Sequence, residues 1–194
     1  MKRIPAVATV VVTLAIAAMI ALGLWQLLDR LPKKEAFLVQ LAANPAKPPI
    51  AFPDVADDTL LFRRASATCP PPVAIRRVGA GSRGFRLIAT CATGIQVQLG
   101  TTRDPTGMVA WSGGTVAGYI SHAPDTRPLI AGLFDTSPTP LMLVAQTPPA
   151  GLAANTRPDL GAVPNNHLAY GVQWFVFAAV AGIIYALALR RRRG

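Results

Sequence analysis

Two long uncharged runs stand near opposite ends of this 194-residue chain, and whatever else it folds into must fit between them. The later run extends from Leu168 to Leu189, 22 residues without a charge, and stops at Arg190, Arg191, Arg192 and Arg193. The earlier run, rich in Ala, Val, Ile and Leu, extends from Ile4 to Leu28 behind Lys2 and Arg3. About 20 apolar residues cross a hydrocarbon core of about 30 Å, so each run reads as a transmembrane helix. Positive charge lies just outside the first run at one end and just beyond the second at the other. The positive-inside rule therefore places both termini in the cytoplasm and the intervening segment outside it, as in a multi-pass protein of a bacterial-type inner membrane with a periplasmic domain. A cleaved signal peptide is the rival reading of the first run, with Ala15-Ile16-Ala17 as its small-residue site. The run stays uncharged for eleven residues beyond Ala17, more than a signal core requires, so an uncleaved anchor is expected.

The formal charge of +10 is misleading. Six of the 19 basic residues are the membrane flanks, and the 13 that remain face all 9 acids, which leaves residues 29–167 at +4. A nucleic-acid partner is not expected; the lipid bilayer is.

About 139 residues between the runs suffice for one domain with its own core. The chain divides into residues 1–28 (N-terminus and first span), 29–58 (membrane exit and linker), 59–147 (folded domain), 148–166 (return segment), 167–189 (second span) and 190–194 (basic tail). Pro45, Pro48, Pro49 and Pro53 mark 29–58 as extended, with no helix running through it. Short alternating segments follow at 59–69, 73–78, 85–91, 95–101, 115–121 and 141–147, a strand pattern. Phe85, Leu87, Ala89 and Cys91 alternate with Arg86 and Thr90, and Ile95, Val97 and Leu99 with Gln96 and Gln98, so each strand should bury one face. Ala92-Thr93-Gly94 suits a tight turn between them, making an antiparallel hairpin. The fold class expected is two transmembrane helices bracketing a mainly antiparallel β domain, a small barrel or sandwich such as an OB-like form, with a short helix near 129–134.

Cys69 and Cys91 are the only cysteines. In an oxidising compartment they can form a structural disulfide, read here as joining neighbouring strands. A copper or redox role is the sharper alternative, but there is no Cys-x-x-Cys and no His within four residues of either thiol. The two histidines are His122 and His167. No Gly-x-Ser-x-Gly, His-Glu-x-x-His or phosphate-binding loop is present, so no catalytic residues are assigned and an enzyme is not expected. Asp57-Asp58 reads as a solvated turn and His122 as an exposed loop imidazole.

Leu22-Gly23-Leu24-Trp25-Gln26, followed by Arg30 and Lys34-Glu35-Ala36-Phe37, resembles the exit from the first span in the surfeit locus protein 1 family. Asn165-Asn166-His167-Leu168, with Tyr170, Trp174 and Phe175, resembles that family's approach to its second span. Val97-Gln98-Leu99-Gly100 stands where the family has a strand ending in Arg-Gly, with Leu99 in place of the arginine, and Gly118-Tyr119-Ile120 resembles its next strand. Arg30 falls one residue later from Trp25 than in the family pattern.

The resemblance implies an assembly factor for haem-copper cytochrome c oxidase that assists delivery or insertion of haem a into the catalytic subunit. Its partners would be that subunit and the haem a synthesis machinery, and haem a would be held transiently. Asn165 or Asn166 can cap the second helix, and His167, Tyr170 and Trp174, at i, i+3 and i+7, share a face. Imidazole is a common axial ligand of haem iron, which makes His167 the candidate ligand, with Tyr170, Trp174, Trp25, Gln26 and Arg30 around the macrocycle. Tyr and Trp are equally the aromatic anchors of any span. Arg30, Lys33 and Lys34 suit haem propionates or lipid phosphates. Small residues every four positions, at Thr13, Ala17 and Ala21 and at Ala178, Gly182 and Ala186, suggest that the spans pack as a hairpin with Trp25 and Gln26 near His167, or else offer a face to an oxidase subunit. The alternatives are an oxidase scaffold or accessory subunit with no haem contact, and an unidentified extracytoplasmic enzyme.

Overall fold

The computed structural model describes residues 5–107, 109–124 and 137–193. The chain separates into a helical unit, made of residues up to Leu38 together with those from Gly161, and a sheet unit, Val39–Leu160.

The first helix, α1, covers Ala6–Trp25, continues through a π-helical turn at Gln26–Arg30, and goes on as α2, Leu31–Ala43. The segment from residue 29 is thus helical as far as Ala43, where an extended linker was expected. Lys33, Lys34, Glu35, Ala36, Leu38, Gln40 and Leu41 are good helix formers, and Lys33 pairs with Asp29 one turn earlier at 2.5 Å. Pro32 is the residue that ought to break this helix, since it has no N–H to offer the carbonyl four residues back and its ring crowds that carbonyl. The π turn lies just before it, with the Leu31 amide donating to the Gln26 carbonyl five residues back. That wider turn lets the helix pass the proline. It ends where Pro45 enters a 3-10 turn at Asn44–Ala46.

The last helix, α3, runs from His167 to Arg193. Both α1 and α3 are long and apolar enough to cross a bilayer, and the protein is a membrane protein. They lie antiparallel, with Thr9 Oγ1 2.5 Å from the Tyr185 hydroxyl at one end and Gln26 beside His167 at the other. The facing stripe of α1 is Thr9, Val12, Ile16, Met19 and Gly23, while Thr13, Ala17 and Ala21 are exposed. On α3, Gly171 and Ala178 are buried and Gly182 half-buried, but Ala186 is exposed. The expected four-residue stripe on α1 therefore faces outward. The contact instead uses two glycines, each receiving a large side chain from the other helix. A Cβ on Gly23 would lie 2.8 Å from Phe175 Cζ, and one on Gly171 would lie 2.7 Å from Leu27 Cδ2.

The sheet unit holds seven strands: β1 Ile50–Ala51, β2 Arg64–Cys69, β3 Ala74–Gly79, β4 Phe85–Thr90, β5 Gln96–Thr102, β6 Gly114–His122 and β7 Leu141–Ala145. Their order is β1-β2-β6-β7-β5-β4-β3. The sheet is open and mixed, not a closed antiparallel or OB-like barrel, because β1–β2 and β5–β7 are parallel and the ladder ends at β1 and β3. The β4–β5 hairpin pairs as expected, Ala89 with Val97 and Thr90 with Gln96, and Gly94 turns it at φ 84°. Leu99 is a bulge residue: Leu87 pairs with Gly100 and Ile88 with Gln98, which leaves it without a partner in the ladder. Ile88, Val97, Ile120 and Leu143 are fully buried and form much of the core.

Gln98 is also buried, although alternation placed it outside, because the return segment covers it. Its amide donates to Asn155 Oδ1 at 2.7 Å, and Asn155 donates in turn to the carbonyls of Gln98 and Ala145. Ala153 bonds Thr101 in both directions, an isolated antiparallel bridge that ties the return segment to β5. The helix expected near 129–134 lies outside the described residues.

Cys69 and Cys91 are joined by a disulfide with their Cα atoms 5.1 Å apart. They do not tie neighbouring strands, since β6, β7 and β5 separate β2 from β4. Four steps across a flat sheet would span about 19 Å. The sheet is therefore curled so that the ends of β2 and β4 meet without a ladder between them.

Candidate functional site

His167 is half-buried at the first position of α3, and the Asn166 carbonyl before it accepts from the Tyr170 amide at 3.0 Å. The Oδ1 of Asn165 is buried without a hydrogen-bond partner, so it does not supply the expected cap. Across the hairpin, His167 Nδ1 lies 2.8 Å from Gln26 Oε1. An amide oxygen only accepts, so this pairing puts a proton on Nδ1, and in the neutral ring the lone pair is then on Nε2. Metal-ligating histidines are commonly held in this way, with one ring nitrogen donating to a neighbouring acceptor that fixes the tautomer and the ring plane.

Gln26 opens the π turn, Trp25 precedes it and Arg30 closes it. The Arg30 guanidinium lies over the Trp25 ring, 4.8 Å from its centroid. Trp25 is 45 % exposed and Tyr170 52 % exposed, whereas Trp174 is half-buried and meets Phe177 edge-to-face at 6.1 Å. The helical unit thus joins His167 to Gln26 and Arg30 to Trp25 at one end of the hairpin, while Tyr170 and Trp174 make no hydrogen bond or ring stacking with either pair. Lys33 is engaged by Asp29, and Lys34 lies over Phe37 at 5.3 Å.

Three features of this end are missing from the motif-based reading. They are the reciprocal Gly23–Phe175 and Gly171–Leu27 contacts, the π turn, and the Asp29–Lys33 pair. Glycines in otherwise apolar spans were the available signal for the first, and Pro32 for the second.

In the sheet unit, His122 ends β6 with Nε2 2.8 Å from Asp58 Oδ1, a paired imidazole rather than a free one. Asp57 begins the adjoining 3-10 turn, and bonds from Thr59, its side chain first and then its backbone, hold the carboxyl below the usual aspartate value. Among the described residues, no three His, Cys, Asp or Glu side chains cluster as a metal site would need. A lone imidazole does not hold a bare ion, but it suits a macrocycle that brings its own equatorial nitrogens.

Neither the curated proteins nor the solved structures contain a match to this chain. The SURF1 family does match, over residues 13–179, a stretch that starts within α1, crosses the whole sheet unit and ends within α3, and the chain belongs to that family.

Proposed function

We propose that this protein serves cytochrome c oxidase assembly by handling haem a, with His167 as axial ligand at one end of the helical hairpin. The SURF1 family is linked to cytochrome c oxidase assembly, and its members act as assembly factors rather than catalysts. The observation that carries the finer reading is the His167–Gln26 bond, which orients the imidazole through Nδ1 and keeps Nε2 out of that bond. Haem supplies the iron and an apolar plate. The chain supplies the ligand nitrogen from His167, exposed aromatic surface from Tyr170 and Trp25, and a cation from Arg30 suited to a propionate. Trp174, on the same helix face one turn beyond, would border the plate's apolar edge.

In this reading both termini are cytoplasmic, the sheet unit is extracytoplasmic, and the cargo passes from the haem a synthesis machinery to the oxidase catalytic subunit. The Gln26–His167 bond also favours a second reading, in which it is a clasp between spans and the protein is a scaffold that never touches haem.

Titrating haem into the full chain in detergent separates the two. The wild type and His122→Ala should show the absorption shift of histidine-ligated iron, and His167→Ala should lose it at equal abundance and with unchanged helix content. An undiminished shift in His167→Ala would remove the ligand role and leave the clasp.

A further inference from the structure

We infer that the free edge of β3 is a docking site for an extended acidic segment of a partner protein, which would add to the sheet as an eighth strand. Among the described residues, β3 stands at the end of the strand order and pairs with β4 alone. In an antiparallel ladder, residues alternate between bonding their partner strand and pointing their amides away from it. The Ala80 amide donates to the Gly84 carbonyl just beyond the paired Gly79 and Phe85. Counting back from that bond in steps of two turns Val78, Arg76 and Ala74 toward β4, and turns the amides of Ile75, Arg77 and Gly79 outward. No backbone bond from these outward groups is made to any other described residue.

A groove of about 700 Å³ is lined by Val73, Ile75 and Arg77 on the β3 side, with Leu87 of β4 beneath and Val109 and Trp111 across from them. Its β3 side is formed by every second residue, the spacing at which an added strand would present its own side chains. Arg77 braces the opposite wall by donating to the carbonyls of Pro105 and Gly107. An open edge beside an apolar groove is the geometry of strand addition, in which main-chain bonds give affinity and the groove selects side chains.

Charge selects the occupant. Residues 73–107 hold Arg76, Arg77, Arg83, Arg86 and Arg103 against Asp104 alone, a net of +4 that equals the charge of the whole segment 29–167. Asp104 is already occupied in its own turn, bonded by the amide and hydroxyl of Thr106. A second copy of this chain, paired through its own β3, would bring a second Arg76 and Arg77 close to the first pair across the new ladder, and like charges there are destabilising. A segment alternating apolar and acidic residues fits instead, with apolar side chains over Ile75 in the groove and carboxylates on the other face beside Arg76. This inference is independent of the haem reading, which concerns the helical unit.

The test uses the full chain in detergent and a fluorescent peptide of about ten residues alternating Val and Glu, long enough to cover one strand. Binding should be salt-sensitive, should not be matched by the Val-Lys peptide, and should slow amide exchange at Ile75, Arg77 and Gly79 more than at Arg76 and Val78. Ile75→Pro, which removes one outward donor at a position where an edge strand tolerates proline, should weaken binding by about tenfold. Should that variant fail to fold, the wild-type exchange pattern alone decides. No binding, equal binding of both peptides, or unchanged exchange at the three amides would overturn the proposal. Protection by phosphatidylglycerol vesicles without peptide would overturn it in favour of a lipid-facing surface, and protection that grows with protein concentration would do so in favour of self-association.

Discussion

Replacing both cysteines, as Cys69→Ala with Cys91→Ala, should cost the sheet unit about 3 kcal/mol, because the bond closes a loop with a sequence separation of 22. The chain-entropy relation assigns that amount to the freedom which the cross-link removes from the unfolded chain. Both cysteines are buried, so each substitution also leaves a small void and adds a fraction of a kcal/mol. For a unit of this size the sum corresponds to a fall of about 10 °C in unfolding temperature. Thermal unfolding of the full chain in detergent, followed through the sheet's circular dichroism, measures it. The reduced wild type isolates the cross-link, since it keeps the sulfur atoms and loses the bond. Local opening should accompany the loss: β2 and β4 share no ladder, and near the disulfide the Ala92 amide reaches only the Pro70 carbonyl, at 3.3 Å. Exchange of the Ala92 amide should therefore quicken before the rest of the hairpin. A reduced wild type within about 1 kcal/mol of the oxidised form would refute the entropic reasoning, and an unchanged Ala92 amide would refute the claim that the disulfide holds these strand ends together.

The glycine contacts of the hairpin give a second expectation. Gly23→Ala should displace the Phe175 ring and reduce disulfide formation between cysteines placed at positions 26 and 167, while Ala21→Cys or another outward change leaves it intact; equal cross-linking in Gly23→Ala would show that the contact is not close. Topology gives a third. The native cysteines are buried and bonded, so Ser82→Cys in the exposed β3–β4 turn should react with a membrane-impermeant maleimide in intact spheroplasts, and labelling that required lysis would reverse the assigned orientation.

What could be read from the residues was local. The spans were legible because charge is absent over whole helices, and β4 and β5 because apolar and polar residues alternate on both sides of Gly94. Order in the sheet was not, since alternation says which face a strand buries but not which strand lies beside it; β7 enters between β6 and β5 and runs parallel to the latter. Gln98 looked like a surface residue because its partner, Asn155, is 57 positions away. The helix through Asp29–Ala43 was hidden by the prolines after it, although the proline that matters most, Pro32, lies inside it. At the candidate site, His167 and Gln26 were both legible from the motifs at the two ends of the chain. The choice of Nδ1 as the bonded nitrogen, which decides what Nε2 can do, needed the distance.

The one-residue displacement of Arg30 from the family pattern has a physical resolution in the π turn. On an uninterrupted α-helix a residue five places after Trp25 would lie about 140° around the axis from it, too far to stack on its ring. Gln26–Arg30 instead forms a π turn, in which groups five residues apart come one above the other, and the Arg30 guanidinium sits 4.8 Å from the Trp25 ring centroid. The wider turn lies between Trp25 and Pro32, just where the missing amide of the proline makes it least costly. Upstream, Gly23 keeps its place under Phe175, and Gln26 keeps its bond to His167. The π turn is a single turn on the side of Gln26 away from α1. The arginine returns to the aromatic surface beside the one oriented imidazole of the helical unit.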